Sequence, residues 1–167
     1  MKKKVLSEQS LYYGEVNMPK GFEINPLNLT NNFFKSLYQN KNFIFSKDFD
    51  KLNTYIKDFI RFHYKLELIN KNSWTNIFIP NEKTESMLEV DPIDLKHSPD
   101  FVLLYGINTV DCSVKILYDD NRRKGKSIIE PLKDNNFIMF PSTNRYNIIN
   151  NQKESLNFIQ VITYEFV

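Results

Sequence analysis

Residues 136–151 read NFIMFPSTNRYNIINN. Phe137, Ile138, Met139 and Phe140 form an apolar run that reads as a strand. Pro141-Ser142-Thr143-Asn144 then turns the chain, because Pro fixes φ and the Ser and Asn side chains bond local backbone. A second strand follows over 145–149, with Tyr146 and Ile148 alternating with Arg145 and Asn147. It ends at the turn pair Asn150-Asn151. The unit is strand, turn, strand, with Tyr146 just past the turn.

Outward from this stretch the same grammar recurs. Residues 101–107 are another nearly continuous apolar run. Cys112, Val114, Ile116 and Tyr118 alternate with Ser113, Lys115 and Leu117, as in a half-buried strand. Short strands are expected over 74–79, 86–90 and 127–130, and a long one over 156–167, placed centrally because its apolar residues occupy both faces. The first half is different. Residues 11–16 suit a short strand, and Thr30 can cap a helix to residue 40 with Phe33, Phe34, Leu37 and Tyr38 on its apolar side. Residues 46–66 give the clearest helix, capped by Ser46, with Phe49, Leu52, Ile56, Phe59, Ile60 and a partly buried His63 on one stripe. The fold class that follows is α+β but mainly β: a jelly-roll or cupin-like sandwich of about eight strands behind one or two N-terminal helices. The expected organisation is a single domain, with residues 1–10 loose, 28–66 as helical support and 74–167 as the sandwich.

Bulk properties narrow the function classes. A chain of 167 residues with 41% hydrophobic and 25% charged residues has the composition of a soluble globular domain. A net charge of +2 gives no nucleic-acid or membrane signal. No run reaches membrane-spanning length, and Lys2-Lys3-Lys4 precedes no long apolar segment. Cys112 is the single cysteine, so an intrachain disulfide is excluded and a reducing cytoplasmic location fits. With 4 Gly in the whole chain, a backbone-lined phosphate cradle is not expected.

From Val90 onward the sequence resembles the double-stranded β-helix of Fe(II)/2-oxoglutarate dioxygenases, in the prolyl-hydroxylase-like form common in marine phages. The resemblance rests on the strand FVLLYGIN (101–108), the Asp111-Cys112 turn, the strand over 114–118, and the unit PLKDNNFIMF (131–140) leading into Pro141-Ser142. It implies Fe(II) held by a His-X-Asp pair and a distal His, with an Arg or Lys about ten residues beyond for the cosubstrate carboxylate. In the best register Asp94 matches, whereas Pro92 and Tyr146 stand where histidines belong, and the region Ser155-Leu156-Asn157 has no cation. Two readings follow. The first is a non-catalytic protein with a degenerate dioxygenase fold and no cofactor, acting as an interaction or assembly module with a protein partner, and able to oligomerise. The second is a hydroxylase with rearranged ligands, its metal residues drawn from Asp94, His97, Asp100 and Tyr146, with Tyr105 touching 2-oxoglutarate. A third is a small-molecule binder whose cavity is lined by Tyr105, Tyr118 and Tyr146.

The same residues have plainer readings. His97-Ser98-Pro99 suits a turn before a strand, Tyr105 a core aromatic, and Cys112 a small buried hydrophobe. Arg122, Arg123, Lys124 and Lys126 form the densest positive cluster: either a contact for phosphate or an acidic partner surface, or a solvated hairpin tip. The absence of Ala beside abundant Asn, Lys, Ile, Phe and Tyr suggests an AT-rich genome. Together with the resemblance, this points to a phage or marine bacterium and to the host cytoplasm or a virion.

Overall fold

The computed structural model describes residues 8–38, 47–118 and 125–167. In chain order the elements are β1 (Tyr12–Glu15), α1 (Pro26–Tyr38), α2 (Lys47–Tyr64), β2 (Leu68–Phe78), a short 3-10 turn (Leu95–His97), β3 (Phe101–Asn108), β4 (Cys112–Tyr118), β5 (Lys126–Pro131), β6 (Asn136–Pro141), β7 (Arg145–Asn150) and β8 (Asn157–Phe166). The large sheet runs β1-β6-β3-β8-β2 and the small one β5-β4-β7. Every pairing is antiparallel. Beyond β7 the small sheet continues through two bridges, Lys83 to Ile149 and Met87 to Tyr146.

The continuous apolar runs are explained by the large sheet's position between two layers. In β3 and β8, Val102, Leu104, Ile159 and Val161 face the small sheet and form a core with Val114, Ile116, Ile148 and Phe140. Their neighbours Leu103, Tyr105, Ile162 and Tyr164 face the opposite way and pack with Leu52, Ile56 and Ile60 of α2. The final strand is therefore interior, one place from the β2 edge and buried on both faces. A polar network keys α2 to the sheet inside this apolar layer. Thr75 Oγ1 donates to Gln160 Oε1 at 2.6 Å. Gln160 Nε2 donates to Asn53 Oδ1 at 3.1 Å, and Asn53 Nδ2 donates to Ser73 Oγ at 2.9 Å. Satisfying every partner is what makes a buried amide tolerable there.

Several expectations need correction. Helix α1 starts at Pro26, because Asn25 Oδ1 accepts the Leu27 and Asn28 amides at 2.9 and 3.4 Å and Pro suits the first helical position. Among its described side chains Leu29 is buried, while Phe34 and Tyr38 are exposed. Strand β2 begins at Leu68, six residues before the aromatic cue at Trp74, since Asn and Lys on its edge hide the alternation. His63 is exposed and lies against Phe59 and Phe62, with centroids 4.1 and 5.1 Å away. Ser46 lies outside the described residues. Among those residues no helix is long and apolar enough to cross a membrane.

Candidate functional site at the barrel mouth

The turn 141–144 joins β6 of the large sheet to β7 of the small one and is tied to the chain entering β3. Ser142 N donates to Asp100 O at 2.9 Å, and its hydroxyl donates to Pro99 O. Asn144 N closes the turn on Pro141 O at 3.0 Å. These bonds fix where β7 starts, and so fix Tyr146. Its backbone pairs both ways with Met87, at 2.8 and 3.1 Å. Its ring is 1% exposed and meets Phe140 edge-on at 5.3 Å. Its hydroxyl donates to Glu89 Oε1 at 2.6 Å. Burial, then the bond to Glu89 and its negative charge, push the phenol above its ordinary range, so Tyr146 is a neutral donor to a carboxylate.

Glu89 is the residue that sequence reasoning missed. The register was anchored on Asp94, but the segment that lies beside β7 is residues 83–89. Glu89-Val90-Asp91 carries the same acid spacing three residues earlier, and this was the available signal.

The other nominated residues are dispersed. Asp94 and His97 pair with each other, both Asp94 oxygens lying 2.9 Å from His97 Nδ1, on an exposed loop. Asp100 is a strand-end staple: Oδ2 accepts the Phe166 amide at 2.9 Å, and its own amide donates to Tyr164 O at 2.8 Å. Tyr105 faces the helical layer, on the opposite side of the sheet from Tyr146, and donates to Asn135 Oδ1 at 2.6 Å. Burial and then Asp134 push its phenol up as well. Cys112 is buried, and desolvation followed by Asp111 raises its thiol from 9.0 to about 12, far from thiolate at neutral pH. Arg122, Arg123 and Lys124 lie outside the described residues; Lys126 opens β5 and is exposed.

This donor set does not fit a ferrous ion. Such a site needs imidazole and carboxylate groups converging on one point with open positions left over. Among the described residues no group of three or more His, Cys, Asp or Glu is placed to hold a metal. Asn157, which opens β8, is fully buried. Its amide is spent on Val110 N, Val110 O and Asn150 Oδ1 at 2.9, 3.0 and 2.7 Å.

Comparison with known proteins gives the fold its relatives. No family model matches the sequence, and no curated protein matches it significantly. Among solved structures, the α-ketoglutarate-dependent non-heme epimerase SnoN of nogalamycin biosynthesis superposes with a TM-score of 0.64 at 8% identity, over 95% of this chain and 78% of its own. A prolyl-4-hydroxylase from Pseudomonas putida gives 0.62 at 8% identity, over 95% and 94%. A 2OG-Fe(II) oxygenase family oxidoreductase from Burkholderia pseudomallei gives 0.50 at 9%, over 95% and 71%. At such identities the likeness concerns architecture: the chain has the double-stranded β-helix fold that these oxygenases share.

Proposed function

We propose that this protein is a non-catalytic double-stranded β-helix module that works by binding, most simply to a protein partner, rather than by oxidation. The observation that carries this reading is the Tyr146–Glu89 bond, which closes the mouth over an interior filled by Phe140, Ile148, Ile159 and Val161. A dicarboxylate cosubstrate needs room and a cation, and this arrangement favours neither. Fold alone does not decide function, and the same architecture can present loops and edges to partners. The Asn- and Lys-rich, Ala-free composition makes a phage particle one place to look for that partner.

A second reading is a hydroxylase with rearranged ligands, and the oxygenase neighbours favour it. One experiment separates the two. The protein is purified anaerobically and supplied with Fe(II) and 2-oxoglutarate, then followed for a visible charge-transfer band and for succinate. The binding-module reading expects no stoichiometric iron and no turnover. Stoichiometric iron that is lost in His97→Ala would establish the second reading instead.

A further inference from the structure

Beside the Tyr146 cluster lies a half-open cavity of about 170 Å³, walled by Leu11, Ile116, Tyr118, Ile128, Phe140 and Pro141, with Gln9, Ser10 and Asn144 as its polar members. Neither Tyr105 nor Tyr146 is part of this wall, although both were expected to line a binding cavity. Three properties define what it can hold. Its size is that of one six-membered ring, since an apolar cavity of roughly 150 Å³ takes up benzene. No wall residue among those described carries a charge, so an ionised ligand would lose hydration without compensation. Finally, Asn144 is 8% exposed and is the buried polar residue of this wall. A side-chain amide both donates and accepts, so at the wall of a mainly apolar cavity it can meet one polar group of a ligand.

We infer that this cavity is a binding site for a neutral aromatic ring bearing one hydroxyl or amide group, with the ring between Ile116, Ile128 and Phe140 and the polar group on Asn144. The site stands whether or not the barrel takes iron. The ring can come from a free phenolic compound or from a tyrosine of a partner chain, and the two share this chemistry.

Titration of the isotope-labelled full chain by amide NMR tests the assignment, with para-cresol as probe. Saturable shifts confined to residues around Leu11, Ile116, Ile128 and Asn144 are expected, with a dissociation constant on the order of 1 mM. Toluene should bind about two- to tenfold more weakly, the worth of one hydrogen bond, and para-toluate more weakly still. Ile128→Trp should fill the cavity and abolish binding, while Phe62→Ser, on the exposed face of α2, should leave it intact. Circular dichroism of both variants verifies folding. N-acetyltyrosine amide binding like para-cresol supports the site and assigns it to a partner's tyrosine; its exclusion while para-cresol binds supports the site for free phenols. Absence of saturable para-cresol binding to the folded protein would overturn the inference. So would unchanged binding in Ile128→Trp, or toluene and para-toluate binding as well as para-cresol.

Discussion

Tyr146→Phe removes one oxygen from a ring that is 1% exposed and leaves its packing against Phe140 in place. What it deletes is the 2.6 Å bond to Glu89 Oε1. A hydrogen bond to a charged acceptor contributes about 1.5–3 kcal/mol, and the half-buried carboxylate left behind recovers only part of its lost solvation from water. The expected loss is therefore about 2 kcal/mol, which in a domain of this size lowers Tm by roughly 4–8 °C. Urea unfolding followed by Trp74 fluorescence measures it directly. Glu89→Met should cost a similar amount, since it leaves the phenol buried without an acceptor. The double variant should be less destabilised than the sum of the two by at least about 1 kcal/mol, because paired removal leaves no orphaned group. If Tyr146→Phe falls within about 0.5 kcal/mol of the parent, or if the two changes simply add, the pair does not hold the mouth and the reasoning fails.

Other outcomes follow from the same structure. A Cβ at Gly106 would lie 2.3 Å from Lys133 O and 2.8 Å from Thr109 Oγ1, and backbone cannot swing aside, so Gly106→Ala should lower the urea midpoint by an amount worth about 2 kcal/mol or more. Asn157→Leu removes the partner of Val110 N and Val110 O and one of the two donors to Asn150 Oδ1, and should cost about 2 kcal/mol in the same assay. Folding raises the Tyr105, Tyr146 and Tyr164 phenols above 10.0 and the Cys112 thiol from 9.0 to about 12. Each group stabilises fully below its unfolded value and loses about 1.4 kcal/mol per pH unit as pH rises from there toward the folded value. The pH dependence arising from these four groups should therefore be flat below about pH 9 and fall steeply above it; a stability insensitive to pH up to 11, which is about one unit past the phenol reference, would contradict their burial. His97→Ala touches only an exposed pair and should change stability by less than about 0.5 kcal/mol.

The strands were legible where their environment is one-sided or fully dry. The FVLLYGIN run of β3 and the alternation of β4 translate directly into burial. Strand β2 was half hidden because it is an edge strand, where solvent accepts polar residues, and because a register shift between Asn70 and Asn72 breaks its alternation. The site was legible at Tyr146 and illegible at Glu89, for a physical reason. A strand–turn–strand unit fixes residue 146 locally, whereas residue 89 is positioned by two isolated bridges across a gap of about sixty residues. Spacing along the chain cannot tell Glu89-Val90-Asp91 from Pro92-Ile93-Asp94; only the pairing of Met87 with Tyr146 can. Tyr105 shows the complementary failure. Its strand was correct, but a strand buried on both faces gives no sequence cue to which face a residue takes.

The mouth and the interior are linked by one constraint. A carboxylate held at the end of an apolar barrel needs a cation or a donor. Here Tyr146 supplies the donor, and the space behind it is packed with Ile148, Ile159 and Val161. Changing only the first of these should not create a metal centre. Tyr146→His would set one imidazole beside Glu89, with no group of three His, Cys, Asp or Glu positioned to hold a metal among the described residues of the parent. Its ring is also shorter than the phenol and would loosen the contact with Phe140. Calorimetric titration with Fe(II) under nitrogen should accordingly give no gain in affinity for Tyr146→His over the parent, together with a loss of stability of about 2 kcal/mol or more. Tight ferrous binding by that single variant would mean that further donors already converge on residue 146, and that the barrel is one substitution from an oxygenase rather than built around a different mouth.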